Sequence, residues 1–123
     1  MKKESSLVKA IRQYLQYREN SGLLMFQRNN TGALINRWQK KGKFGNMIDR
    51  KSLITYGKVG SSDFYVWFAT GKMIFIECKS DSGDQSDEQV EFMNKARKLG
   101  FEYYLVSSTD EFLNVMIFHG VHR

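Results

Sequence analysis

Apolar residues recur at helical spacing early in the chain. Leu7, Ile11, Tyr14 and Leu15 line one side, with Lys9, Arg12 and Arg18 elsewhere on the wheel, and predict an amphipathic helix over 4–19. Gly22 ends that unit. Leu23-Leu24-Met25-Phe26-Gln27-Arg28 reads as a short buried strand and Asn29-Asn30-Thr31-Gly32 as a turn. Residues 33–60 lose the pattern. Gly42, Gly45, Gly57 and Gly60 punctuate them, and they read as an extended loop with one or two short irregular strands. Patterning returns at 63–68 and 72–79, two runs rich in aromatic and β-branched residues. Between them Ala69-Thr70-Gly71 offers glycine at the left-handed position of a three-residue hairpin loop. Residues 80–85 form a loop, and Ser86-Asp87-Glu88-Gln89 has capping-box form, opening a helix that runs to about residue 99 and ends at Gly100. Val90, Met93, Ala96 and Arg97, or Phe92, Ala96 and Leu99, supply its apolar side. Residues 101–106 read as a strand, and Ser108-Thr109-Asp110-Glu111 caps a last helix ending near Phe118. The order is helix, strand, insert, two hairpin strands, helix, strand, helix, an α/β pattern with no internal repeat.

The hairpin carries the chemistry. If Phe68 pairs with Lys72, counting back sets Asp63 opposite Glu77. Directly opposed residues share a face about 5 Å apart. Lys79 falls on that same face, while Cys78 turns away. Two carboxylates at that distance repel by a few kcal/mol at an effective dielectric of about 20. A divalent cation removes the penalty, and hard oxygen ligands suit Mg²⁺ or Mn²⁺. The plainer alternative is a solvated Glu77–Lys79 ion pair, with Asp63 merely opening a strand. Glu4 extends the apolar stripe of the first helix with an acid: it either complements the helix dipole or points to a polar site at the edge of the core.

Composition narrows the choice. In 123 residues, 41% hydrophobic and 14% aromatic content supports a packed core rather than disorder. One cysteine leaves no internal disulfide and suits a reducing cytoplasm. Cys78 reads as a small buried hydrophobe behind the site, and one Cys with His119 and His122 gives no zinc spacing. No apolar run reaches the length of a membrane span, and no secretory pattern opens the chain. The net charge is +6, and its distribution matters more. Arg28, Arg37, Lys40, Lys41, Lys43, Arg50, Lys51 and Lys58 face only Asp49 across 28–58, whereas Asp81, Asp84, Asp87, Glu88 and Glu91 crowd 80–92. A basic stretch beside an acidic cluster fits a protein that grips a polyanion and hydrolyses it with metal. The rival is a merely soluble basic surface. Trp38, Phe44 and Tyr56 are interleaved with the basic residues; they can stack bases, but for any single one, pinning the insert to the body is the favoured reading.

These residues resemble a family. Gly60-Ser61-Ser62-Asp63, Glu77-Cys78-Lys79, Gly83, Ser86 and Gln89 look like the signature of the virus-type replication–repair nuclease (VRR-NUC) domain of the PD-(D/E)XK nuclease superfamily. Glu4 with Ala10-Ile11 and Tyr14-Leu15 is similar to the family's first helix, and Arg28 to Ala33 to its next strand and turn. Gln89 to Phe92 and Gly100-Phe101 also fit. The resemblance implies one domain over 1–123 with a restriction-endonuclease-like core, a mixed β-sheet flanked by helices, and a basic insert at about 33–60. It implies that Asp63 and Glu77 bind metal with the Cys78 carbonyl, that Lys79 assists at the scissile phosphate, and that Glu4 and Gln89 complete the site. Ser62 stands where the superfamily often has proline, which touches turn stiffness rather than chemistry. Short members made of this domain alone look like Holliday-junction resolvases acting as symmetric dimers. The expected function is therefore Mg²⁺-dependent endonuclease cleavage of branched DNA by a homodimer. The alternatives are flap, nick or duplex cleavage, a catalytically inactive DNA-binding accessory, or an unrelated basic binding module.

Overall fold

The computed structural model describes residues 4–29, 32–41, 43–56, 60–79 and 85–121. Its first element, α1 (Ser6–Asn20), starts where Ser5 caps it by accepting the Val8 N–H at 3.1 Å. Glu4 therefore stands outside the helix, whose first turn holds no acidic residue, so a dipole role for Glu4 falls away. Strands follow as β1 (Leu24–Arg28), β2 (Gly32–Lys41), β3 (Met47–Tyr56), β4 (Phe64–Phe68) and β5 (Met73–Cys78); then come α2 (Asp87–Lys98), β6 (Glu102–Val106) and α3 (Thr109–Phe118).

Four strands form a mixed sheet in the order β1-β4-β5-β6. The β1/β4 and β4/β5 pairs are antiparallel and β5/β6 is parallel. A parallel pair needs a long crossover, which α2 supplies. Strand alternation sorts the sheet's side chains into two cores. Phe64, Val66, Ile74 and Ile76 turn to one face and pack with Ile11 and Leu15 of α1 and Phe112 and Met116 of α3. Phe75 and Tyr103 turn to the other and meet Ala96, Phe92 and Met93 of α2. Each large apolar side chain buried this way contributes roughly 1.5–3 kcal/mol. Val90 and Leu99 remain exposed, so α2 docks through its Phe92–Met93–Ala96 side. At one end of the sheet His119 stacks on Phe68 (4.9 Å between centroids) and meets Glu102 at 2.9 Å, which also takes Lys72 at 2.6 Å and ties the end of α3 to the hairpin loop.

The insert departs from expectation. Instead of an irregular loop it holds a regular antiparallel ladder of two ten-residue strands, from Gly32↔Tyr56 to Lys41↔Met47. Among the described residues β2 and β3 pair only with each other. Ladder hydrogen bonds come from the backbone, so no apolar alternation against a core was needed to form them.

Candidate functional site

The hairpin register is the one that loop chemistry predicts. The Phe68 N–H donates to the Lys72 carbonyl at 2.8 Å, and Gly71 takes φ +89°. The ladder then runs through Phe64↔Ile76, so the next opposed pair is Asp63 and Glu77. Alternation puts both on the α2 side of the sheet, with Tyr65 and Phe75.

Glu77 is the unusual member. It is 7% exposed, and only one of its carboxyl oxygens is satisfied: Oε1 accepts from Gln89 Nε2 at 3.1 Å, while Oε2 is buried without a partner. Burial, and then the charge of the neighbouring Asp63, raise its pKa to about 8. Asp63 is better provided for. Its Oδ2 accepts the Cys78 N–H at 2.8 Å and its Oδ1 lies 3.4 Å from Arg28 Nη1. Gln89 does two jobs that the sequence set in competition. Its Oε1 accepts the Ser86 N–H at 2.9 Å, closing the capping box, while its Nε2 reaches Glu77.

The turn before Asp63 is built to hold these groups. Asn29 donates from its backbone N–H to the Asp63 carbonyl at 2.7 Å and from Nδ2 to the Ser62 carbonyl at 3.1 Å and the Tyr65 hydroxyl at 3.2 Å. Ser62, buried at the proline position, donates from Oγ to the Phe64 carbonyl at 2.9 Å. Ser61 and Tyr65 share a hydroxyl–hydroxyl bond. Side-chain bonds thus stiffen a turn that lacks proline.

Other expected members fall differently. Glu4 is gripped by Arg12 at 3.2 Å through both guanidinium contacts, a bond that lowers its pKa. Among the described residues no group of three or more His, Cys, Asp or Glu is placed to hold a metal. Lys79 is exposed just beyond β5, its N–H tied to the Val106 carbonyl at 2.8 Å, on Glu77's side by alternation. Cys78 packs behind the site against the α1–α3 core, and burial first, then the Asp63 and Glu77 charges, push its thiol pKa far up, so the thiol stays protonated. Arg28, grouped by sequence with the basic insert, turns to the site instead: it donates to the Asp63 carbonyl at 3.1 Å and lies over the Phe64 ring at 5.3 Å. Lys41 and Lys43 are exposed near the tip of the β2–β3 hairpin, Arg37 stands opposite Lys51 and Lys40 opposite Ile48 in its ladder, and Arg50 pairs with Trp38. Lys58, Gly83 and residues 80–84 lie outside the described residues.

Sequence reasoning missed Arg28, Asn29, Tyr65 and Tyr103 as neighbours of the pair. Tyr65 was within reach, since it follows Asp63 by two strand positions. Tyr103 was not, because only the β5/β6 register brings it near. Its hydroxyl is buried without a partner, and burial, with the Glu77 and Asp63 charges added, raises its pKa.

The raised Glu77 pKa has a consequence for stability. A carboxyl whose pKa is higher folded than unfolded stabilises the fold fully below its unfolded pKa, and that contribution is lost as pH rises through the folded one, here about 8. In EDTA, stability should fall by on the order of a few kcal/mol between pH 5 and 9, and Glu77→Gln should flatten the fall. Thermal unfolding of both proteins across that range checks it; parallel curves would show that Glu77 is not the source.

The family model of the VRR-NUC domain matches residues 2–110. Searches of curated proteins and of solved structures returned no match.

Proposed function

The chain belongs to the VRR-NUC family, which implies a nuclease of the PD-(D/E)XK type acting on DNA, and from that premise we propose a metal-dependent endonuclease that selects branched DNA, a Holliday-junction resolvase in its best-supported form. One observation carries the metal dependence: a buried carboxyl, Glu77, set beside Asp63 with Oε2 unpartnered. Such an atom is costly unless something absent from the protein itself satisfies it. Mg²⁺ commonly takes one or two carboxylates and completes its shell with water and substrate phosphate, so a cluster of three protein acids is not required. The residues fit. Asp63 and Glu77, with the Cys78 carbonyl, would hold the ion, which when bound supplies Lewis-acid polarisation of the phosphate and a more acidic water.

The chain's own groups do the rest. The Gln89 amide holds Oε1 of Glu77 and leaves Oε2 unpartnered. Arg28 and the Cys78 N–H hold the two oxygens of the Asp63 carboxylate from different sides. Lys79, an exposed ammonium on the same side, either orients the attacking water or offsets charge building on the phosphate. Glu4, paired with Arg12 and acted on by the Arg28 charge, would help complete the site. Among the described residues no helix is long and apolar enough to cross a membrane.

A branched substrate is favoured over a fixed sequence because the basic residues ride on a β-hairpin and its flanks, and a phosphate-gripping surface carries no base readout. A homodimer would offer two sites to two strands of a symmetric junction. The test is cleavage of a four-way junction, a flap and a linear duplex of matched sequence in Mg²⁺, with sedimentation at micromolar protein. Preferred nicking of the junction by a dimer is expected. Equal cleavage of all three substrates, or a monomer, would remove the resolvase assignment, and no cleavage of any would remove the nuclease.

A further inference from the structure

The tip of the β2–β3 hairpin carries a solvent-exposed aromatic. Phe44 is 92% exposed, the highest exposure of any large hydrophobic among the described residues. The favoured expectation for such an aromatic was that it pins the insert to the body, and for Phe44 this does not hold. Its surroundings are exposed and basic: Lys41 and Lys43 before it, Asn46 and a 57% exposed Met47 after it. An apolar ring that follows two exposed lysines in the chain does not suit an apolar protein surface, because docking there would tend to desolvate their ammonium groups. It does suit nucleic acid, which offers a π-face to the ring and phosphates to the lysines.

The hairpin is also rooted at the acid pair. The chain enters β2 just after Asn29 and leaves β3 just before Gly60, and Asn29 is bonded to the carbonyls of Ser62 and Asp63. A ladder of ten pairs is roughly 30 Å long at a strand's rise per residue. The hairpin is therefore long enough for its tip to reach DNA about one helical turn away from a strand lying at Asp63 and Glu77.

Building on the nuclease reading, we propose that the tip of this hairpin is a DNA-reading wedge. Phe44 stacks on, or inserts beside, a base that is unstacked where the duplex is interrupted, while Lys41 and Lys43 hold the adjoining phosphates. Apolar wedges of this kind enter base steps most easily where stacking is already broken. Continuous duplex offers Phe44 no open base, so the wedge adds affinity only at a branch and contributes to substrate choice.

The experiment uses the full chain, with EDTA present to hold off cleavage, and a four-way junction carrying 2-aminopurine at its branch point beside a linear duplex of the same sequence. Phe44→Ala should bind the junction about 5- to 100-fold more weakly, as loss of one aromatic–base stack predicts, and bind the linear duplex within about twofold of wild type. The change in 2-aminopurine emission that wild type produces should be lost in Phe44→Ala and kept in Phe44→Trp. Unchanged junction affinity and emission in Phe44→Ala would overturn the wedge while leaving the nuclease intact. Wild-type protein that neither binds nor cuts any DNA would sink the nuclease reading and the wedge together. A DNA-free Phe44→Ala that sediments as a smaller species than wild type would assign the ring to a second copy of the chain and overturn the wedge as well.

Discussion

Replacing Glu77 with alanine is expected to reduce Mg²⁺-dependent cleavage by about three orders of magnitude or more, while leaving the metal-free protein as stable as wild type or more so. The first half follows from the role proposed for Glu77, since removing one preorganised electrostatic partner of a charged transition state typically costs 10²–10³ in rate and loss of a metal ligand adds to it. The second half follows from its surroundings. Glu77 is buried against Asp63 with one oxygen unsatisfied, so in the metal-free protein it opposes folding wherever it is ionised. Alanine removes both the repulsion and the orphaned oxygen, at the expense of one hydrogen bond from Gln89. A structural acid would behave the other way round, with stability falling and chemistry surviving. The diagnostic comparison is thermal unfolding with EDTA and with Mg²⁺: wild type should gain stability from the ion by mass action, and Glu77→Ala should not. Normal Mg²⁺-dependent cleavage by a folded Glu77→Ala protein would end the proposed mechanism. Asp63→Ala and Lys79→Ala should also lose cleavage, but Asp63→Ala should cost stability, because it removes the ion pair with Arg28 and leaves the Cys78 N–H without its acceptor.

How legible was this arrangement? The acid pair was legible because its placement is local. Gly71 sets the loop, the loop sets Phe68 against Lys72, and period-two counting does the rest. The cap of α2 was legible for the same reason, as Ser86 and Gln89 lie within one turn. What failed was whatever depended on pairing with no apolar signature or on contacts distant in sequence. The β2 run Gly32-Ala33-Leu34-Ile35-Asn36-Arg37-Trp38-Gln39-Lys40-Lys41 has no alternation to announce a strand, yet its backbone pairs along its whole length with β3. Arg28 reads from its charge and sequence neighbours as a phosphate contact, and only the β1/β4 register reveals that it also stands opposite Phe64 and beside Asp63. Glu4 was drawn towards the site by helical spacing, but Ser5 starts the helix after it and Arg12 reaches back to take its carboxylate.

Gly60→Ala should be among the most damaging single substitutions outside the acid pair, lowering Tm by about ten degrees or more and taking cleavage with it. Two separate costs add here. Gly60 sits at φ +77°, a conformation that disfavours any residue with a Cβ by about 1–2 kcal/mol. A Cβ at this position would also lie 2.2 Å from the Glu88 carbonyl oxygen and 2.5 Å from its carbon. Those atoms are backbone in the first turn of α2, so no side chain can swing aside and the helix itself must move. That turn carries Gln89, whose amide holds Glu77, so displacement reaches the acid pair directly. Gly71→Ala is the matched control. Gly71 has φ +89° but open space around its missing Cβ, so it should show the conformational cost alone, a drop of only a few degrees. Equal losses of Tm in the two variants would mean that the contact between the turn before Asp63 and α2 is not tight, and that the position of Gln89 is not set by it. A larger loss in Gly60→Ala, with cleavage falling further than the unfolded fraction accounts for, would establish that this contact holds the helix in register with the acids it serves.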